Sequence, residues 1–433
     1  MDHVVIGIIG VAVFLILVSA GMWLGFAAAI IGIIGVWILG DWQAMGGLAG
    51  VLPYRTTSSF TLSVLPMFII MGYFAFYGGL TRDLFYTARQ WFGHFPGGLA
   101  IASAFGAAGF GACCGSSTAS AAIIGKVAIP EMRKYNYDLG LASGAVAASG
   151  TMASMIPPSV VMVIYGLITE ESIGKLLIAG FIPGMLEAVL YSGMIWIRCW
   201  RNPKLGGALP AASWKERILS LRMVWGMLLL MGSVLGGLYF GVFTPTEAGG
   251  MGAIGAFLIA LGLRKLTWQN LKESLLETGK TTAMIFVMLV GIMLFLRFLA
   301  LSGLTKVFII SILGLPWPPM AIMALVIVIY LILGMFVSAM GMLMLTLPLV
   351  FPVIIQLGYD PIWFGVIAVR LCETAFITPP VAMNVYAVKG TSPDIPTGTI
   401  IRGTIPFLYM DLINIALLMV FPALATWLPS TMK

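Results

Sequence analysis

Long apolar stretches dominate the chain, and its polar positions gather between them instead of alternating within them. A helix that crosses a bilayer needs about 20 predominantly apolar residues. The pattern predicts such helices over residues 4–20, 22–40, 63–80, 139–168 and 173–198, then 224–242, 248–263, 282–301, 362–388 and 404–424. Residues 97–130 and 318–355 do not fit: each stretch is too long for one crossing and is divided near its middle by small residues. The economical reading is a pair of re-entrant hairpins. Such tips are tolerated at membrane depth only where protein or a watery cavity surrounds them. Two further full spans per stretch is the alternative. The segment "WQNLKESLLETGK" at 268–280 is amphipathic and too short to cross, and it reads as an interfacial helix on the cytoplasmic surface.

Composition agrees with an all-α polytopic membrane protein. Of 433 residues 60% are hydrophobic and 9% charged, whereas a soluble domain is about a quarter charged. The first 21 residues lack the positive leading region of a cleavable signal and read as a retained first span. With the N-terminus outside, one face collects Arg82, Arg89, Lys126, Arg133, Lys134, the run from Arg198 to Arg222, Arg264, Lys265, Lys272, Lys280, Lys389 and Arg402. The other face keeps Arg55, Lys175, Arg297, Lys306 and Lys433. Lys and Arg favour cytoplasmic loops, so both termini are expected outside. The net charge of +7 needs no nucleic-acid partner. The four cysteines show no metal spacing, and Cys113–Cys114 reads as a pair of small packing residues. His3 and His94 lie far apart, and no nucleotide loop, metal-protease motif or catalytic triad is present.

The chain is written twice. "IPEMRKYNYD" (129–138) aligns with "FPVIIQLGYD" (351–360), so that Pro130, Tyr137 and Asp138 meet Pro352, Tyr359 and Asp360. The same spacing carries Pro157–Pro158 onto Pro379–Pro380, and "GGLT" (78–81) and "GFIP" (180–183) match "SGLT" (302–305) and "GTIP" (403–406). Shared order at a near-constant offset points to duplication. The expected organisation is a first repeat over 1–200, a cytoplasmic linker over 201–223 and a second repeat over 224–433. An odd number of crossings per half turns the second copy over, giving an inverted-topology repeat, a common plan of secondary transporters whose sites lie at interrupted helices near the midplane.

The interruptions are two hairpin tips, Gly115-Ser116-Ser117 and Val337-Ser338-Ala339, and two spans broken by Pro-Pro, "SGTMASMIPPS" (149–159) and "CETAFITPPV" (372–381). Prolines free the carbonyls of the preceding turn. With Ser and Thr hydroxyls these are hard oxygen ligands for a small cation, and helix N-termini at a tip suit an anion. The plainer reading is that small residues only pack helices together and serines bond back to their own helix. Charges inside a span are functional candidates by default. Arg370 is expected to help bind a substrate anion and Glu373 to support a cation site, against the plainer reading of an ion pair on one helix face. Glu187 and Asp411 fall at nearly equivalent places in the last span of each half.

"GSSTASAAIIGKVAIPEM", "GTMASMIPPSVVMVIYG", "SIGKLLIAGFIPG", "FTPTEAGG" and "ITPPVAMNVYAVKG" resemble the large membrane subunit of TRAP (tripartite ATP-independent periplasmic) transporters over nearly the whole chain. The resemblance implies a bacterial inner-membrane protein that imports organic acids on a sodium gradient. Its partners would be a small four-helix membrane subunit on a separate chain and a periplasmic substrate-binding protein. It implies an elevator fold like that of the ion transporter superfamily, with at least two sodium ions. By motif, Gly115, Ser116, Ser117, Ser149, Gly150, Ile156 and Pro157 would form one sodium site. Ser338, Gly341, Thr374, Thr378 and Pro379, supported by Glu373, would form the second. The substrate would meet Ser116, Thr118, Ser159, Ser338, Arg370 and Asn384. The second tip, "VSAMGM", carries fewer hydroxyls than the first, so its coordination would lean on backbone carbonyls. A free-standing sodium/anion symporter and a cation/proton antiporter are the rival functions.

Overall fold

The computed structural model describes residues 2–432; the side chains of Thr81, Arg82, Ala112, Cys113 and Cys114 lie outside the described residues. The expectations placed on Cys113–Cys114, Arg82 and Lys433 therefore lie outside them too. Helices are the regular elements of the described residues. The first half runs α1 His3–Ser19, α2 Leu24–Leu39, α3 Trp42–Thr57, α4 Val64–Tyr77, α5 Leu80–Phe92, α6 Gly98–Cys114, α7 Ser117–Lys134, α8 Leu139–Gly150, α9 Val160–Thr169, α10 Ile173–Ala179 and α11 Phe181–Arg201. The second half runs α12 Trp214–Leu221, α13 Trp225–Tyr239, α14 Pro245–Gly262, α15 Trp268–Ser302, α16 Leu304–Leu313, α17 Pro319–Gly334, α18 Ala339–Gln356, α19 Pro361–Ala375, α20 Met383–Thr391, α21 Thr397–Val420 and α22 Ala423–Ser430. Among the described residues, five helical stretches are long and apolar enough to cross a membrane, including the continuous run Ile173–Arg201.

The repeated motifs acquire local jobs. Asp138 and Asp360 are the N-caps of α8 and α19, accepting from Leu141 N and Trp363 N, each at 2.8 Å. Such caps satisfy amide groups that the first helical turn leaves without partners. Gly79 and Gly303, the second residues of "GGLT" and "SGLT", take left-handed backbone with φ of +75° and +71° and open α5 and α16. Both Pro-Pro bonds, 157–158 and 379–380, are cis. The first broken span is α8, a 3₁₀ turn Thr151–Ser154, and α9; the second is α19 and α20, separated by residues 376–382.

One expectation is corrected. The 268–280 segment is no separate interfacial helix, because it continues without interruption into the following span as α15, 35 residues long. No Gly cap or Pro stands between Lys280 and the apolar run, so nothing ends the helix. Ser274 and Thr278 donate to carbonyls one turn back without breaking it. Helices α3, α5, α12, α16 and α22 are additional to the expected ones; they are short or amphipathic and carry no spanning-length apolar run.

Small residues bring the helices together at backbone distance. A Cβ on Gly144 of α8 would lie 2.3 Å from the Gly403 carbonyl of α21, and one on Gly403 would lie 2.0 Å from the Gly140 oxygen. Gly25 of α2 and Gly291 of α15 meet the same way. Packing across the halves is reciprocal: α7 packs on α20 while α18 packs on α9, and the corresponding helices α4 and α15, like α11 and α21, pack on each other. Arg133 at the end of α7 pairs with Asp394 beyond α20 at 2.5 Å. Arg89 pairs with Glu131 at 2.5 Å, and Lys265 with Asp83 at 3.3 Å. Tyr165 of α9 donates to the carbonyl of Pro361, the first residue of α19, at 2.7 Å.

The linker is bound down. Gly97 N donates to Gly206 O (3.1 Å), Asp138 N to Leu205 O (2.9 Å) and Leu209 N to Gly93 O (2.9 Å). Tyr137 donates to Gly207 O at 2.8 Å and accepts from Leu99 N at 3.2 Å. Burial pushes the Tyr137 phenol from 10.0 up to about 12.

Candidate functional site

Both hairpin tips open onto one cavity of about 520 Å³. The first tip contributes Gly115, Ser116, Ser117 and Thr118, the second Ser338 and Ala339, and the break of α19 contributes Glu373 and Phe376. The facing wall is built by α2, α4 and α15 through Leu24, Tyr73, Phe76, Thr281 and Met284. The cavity thus lies between the hairpin and broken-helix elements on one side and the long helices on the other.

The first tip turns because Gly115 is left-handed (φ +57°) and ends α6, while Ser116 is extended and caps α7. A Cβ on Gly115 would meet the Pro158 carbonyl at 3.1 Å, so this tip rests on the first Pro-Pro break. Gly150 is pressed between the Ser117 carbonyl, 2.7 Å from a Cβ built there, and the Asn384 amide nitrogen at 3.0 Å. Ser149 donates to the Ala145 carbonyl at 2.5 Å, and Ile156 is buried against Gly184. Of the residues expected at the first cation site, Gly115 meets the Pro-Pro break and Gly150 meets Ser117, while Ser149 and Ile156 contact Ala145 and Gly184.

The second set is looser. Ser338 caps α18, accepting from Gly341 N at 3.3 Å. A Cβ on Gly341 would meet Leu24 of α2, not the second break. Thr374 and Thr378 donate to the Arg370 and Thr374 carbonyls at 2.9 and 2.8 Å, which leaves their lone pairs available. Pro379 lies at the cis bond that follows Thr378.

Several expectations change. Glu373 meets the first tip, not the second: Ser117 Oγ donates to its Oε2, and Ser154 Oγ lies 3.0 Å from Ser117 Oγ. Its Oε1 has no hydrogen-bond partner. Arg370 does not line the cavity. It is fully buried and its two terminal nitrogens are ion-paired with Glu187 of α11 and Asp411 of α21, while Nε has no hydrogen-bond partner. Nor is there an Arg370–Glu373 pair on one helix face. Ser159 and Asn384 also stand off the cavity: Ser159 caps α9 through Met162 N at 3.2 Å, and Asn384 donates to the Ala147 carbonyl at 3.0 Å. Ser116, Thr118 and Ser338 line the cavity as expected.

The site has members that sequence reasoning passed over. Thr151 donates to Glu187 at 2.9 Å, and Tyr191 donates to Asp411 at 2.5 Å, completing the shell around Arg370. Ser154 stands inside the first Pro-Pro motif, at the end of the 3₁₀ turn, and could have been singled out as a hydroxyl at the break. The aromatic wall of α4 carries no polar signal.

The family described as "Tripartite ATP-independent periplasmic transporter, DctM component" matches residues 8–424. The chain belongs to this family. It is a bacterial membrane transport permease, not an enzyme. It is 36% identical over 379 residues to the C4-dicarboxylate TRAP transporter large permease protein of Pseudomonas aeruginosa, covering 87% of this chain and 88% of that one. It is 33% identical over 388 residues to the sialic acid TRAP transporter large permease protein of Vibrio cholerae (89% and 88% covered). The isethionate TRAP transporter permease protein of Oleidesulfovibrio alaskensis is 31% identical over 351 residues, which are 79% of this chain and 54% of that one. In fold the chain is similar to the crystal structure of the Alcanivorax borkumensis YdaH transporter, with a TM-score of 0.61, 16% identity and 90% of each chain covered.

Proposed function

We propose that this permease imports a small organic anion in symport with sodium across the bacterial inner membrane, receiving it from a periplasmic binding protein and working beside a small four-helix membrane subunit. The observation that carries this reading is the single cavity shared by both tips, a largely apolar pocket in which Ser116, Ser117, Thr118 and Ser338 of the tips, with Ser154, Thr281, Tyr73 and Glu373, supply the oxygen atoms. Its volume lies in the range of small-molecule sites. The named relatives handle C4-dicarboxylates, sialic acid and isethionate, that is, carboxylates and a sulfonate.

Two upside-down halves account for the reciprocal packing. The α6–α7 hairpin would be rooted where Arg133 meets Asp394, and the α17–α18 hairpin where Tyr165 meets Pro361. The 29-residue run Ile173–Arg201 would span the distance between those ends. Sodium would be held by the carbonyls and hydroxyls of the first tip with Ser149 and Gly150, and by Ser338 with Thr374 and Thr378. Alternating access would slide α6–α9 and α17–α20 against α2, α4 and α15, the elements that meet at the cavity. Each elementary charge moved across 100 mV is worth about 2.3 kcal/mol. Two sodium ions with a monoanion would use the potential, and with a dianion would not.

Uptake into vesicles reconstituted with both membrane subunits tests this. Accumulation that needs an inward sodium gradient and the soluble binding protein is expected. Uptake that is indifferent to sodium would overturn the coupling, and uptake without the binding protein would favour a free-standing symporter.

A further inference from the structure

The cavity is chemically two-sided. On one side stand the tips. Ser116 is the N-cap of α7 and Ser338 that of α18, so two 18-residue helices begin at the cavity. Their first-turn N–H groups and hydroxyls favour an anion there. On the other side the long helices present mostly carbon. Ile69, Tyr73 and Phe76 recur at helical spacing on one face of α4, and Thr281, Met284 and Met288 on one face of α15. The Tyr73 and Thr281 hydroxyls are the polar groups of that wall.

Among the described residues no Lys, Arg or His lines the cavity. Arg370, the cation expected there, is turned to Glu187 and Asp411. An anionic group can therefore be received at the tips, whereas a second carboxylate reaching the wall would meet no cation. Burying an unpaired charge is costly. The sodium ligands named above belong to the tips and broken helices, so those ions would not offset a charge held against α4 and α15. We propose that the cargo is a monoanion with an apolar body: its one carboxylate sits at the tips, and its carbon chain or ring lies on Ile69, Phe76, Met284 and Met288. This inference rests on the anion-transport reading above and narrows it. It sets the cargo apart from the C4-dicarboxylate for which the Pseudomonas aeruginosa relative is named, which carries a charge at each end. A cavity of about 520 Å³ has room for a branched or aromatic body, and the flexible methionines adapt to either shape.

Melting curves of the purified two-subunit complex in sodium chloride, titrated with matched acids, test this. Valerate and glutarate share a chain length and differ in the charge at the far end, as do α-ketovalerate and α-ketoglutarate. The two monoanions should raise the melting temperature at concentrations where the two dianions do not. From α-ketobutyrate through α-ketovalerate to α-ketoisocaproate, each added carbon should tighten the apparent Kd by up to about fourfold. Met284→Lys, at a side chain 40% exposed, puts a cation on the wall; it should let glutarate stabilise the complex and should weaken valerate. The proposal is overturned by equal or stronger stabilisation with glutarate in the wild type, by a Kd indifferent to chain length, by no shift with any of these acids, or by an unchanged preference in Met284→Lys. Vesicle uptake with a matching binding protein separates the two readings. Sodium-driven accumulation of glutarate sinks this inference alone, whereas valerate uptake that ignores sodium sinks the coupling and leaves the cargo class standing.

Discussion

Ser117 and Glu373, 256 positions apart, are joined by a hydrogen bond from the serine hydroxyl to the glutamate carboxyl. The bond links the tip of the first hairpin to the broken helix of the second half. Both residues line the cavity. The tip is thereby held in place by the opposite half of the chain.

A hydrogen bond typically contributes about 0.5–1.5 kcal/mol net. Ser117→Ala should therefore lower uptake at limiting sodium by roughly 2- to 12-fold, with partial recovery at saturating sodium. Ser116→Ala and Thr378→Ala should shift the sodium dependence in the same sense, with less effect on thermal stability. Vesicle uptake titrated with sodium and a melting curve in detergent measure the two effects side by side.

Removing one partner of a buried ion pair costs about 3–5 kcal/mol, while replacing the whole group with neutral residues is often tolerated. Arg370→Met should thus markedly lower the melting temperature. Combining it with Glu187→Gln and Asp411→Asn should recover most of the loss. Additive damage in the triple variant would contradict the assignment of these three as one unit.

Gly115 is left-handed and close to the Pro158 carbonyl. A side chain there costs about 1–2 kcal/mol from the backbone alone. Gly115→Ala should slow uptake and lower stability. Gly46→Ala, where a Cβ meets nothing within 4 Å, should be silent in both measurements.

At the α8–α21 crossing a Cβ on Gly144 would intrude on the Gly403 backbone, where no rotamer change can make room. Overpacking typically costs about 1–3 kcal/mol, and Gly144→Val should reach or exceed that, read as loss of monodisperse protein and a lower melting temperature.

The Tyr137 phenol is raised from 10.0 to about 12. The unfolded chain therefore ionises first, and the stabilisation, complete below pH 10, is lost as the pH rises toward 12. Tyr137→Phe should be less stable at neutral pH and should lose less stability over that alkaline window. Paired melting curves at neutral and alkaline pH would show this.

Much of this architecture was legible in the sequence because its signals are local. Asp138 and Asp360 are caps, Gly79 and Gly303 are left-handed turns, and the Pro-Pro pairs stop helices; each acts within one turn of itself. Ser116 and Ser338 were placed at the hairpin tips on the same logic, whereas Thr118 came only with the family resemblance; all three line the cavity. The partners of Arg370 were not legible, since Glu187 and Asp411 reach it from two other helices and nothing in their spacing encodes the meeting. Glu373 was assigned to the wrong tip for the same reason. Helix α15 was divided because amphipathicity was taken as an end signal, although nothing in the sequence stops the helix.

The bonds that hold residues 205–209 against Gly93, Gly97 and Tyr137 leave a short leash. Between Leu209, fixed to Gly93, and Trp214, which opens α12, lie residues 210–213. Five fully extended steps between those two positions reach about 18 Å at most. Without tearing the stitched part loose, the foot of the first hairpin cannot travel further from α12 than this, so the leash sets a ceiling on any stroke that separates them.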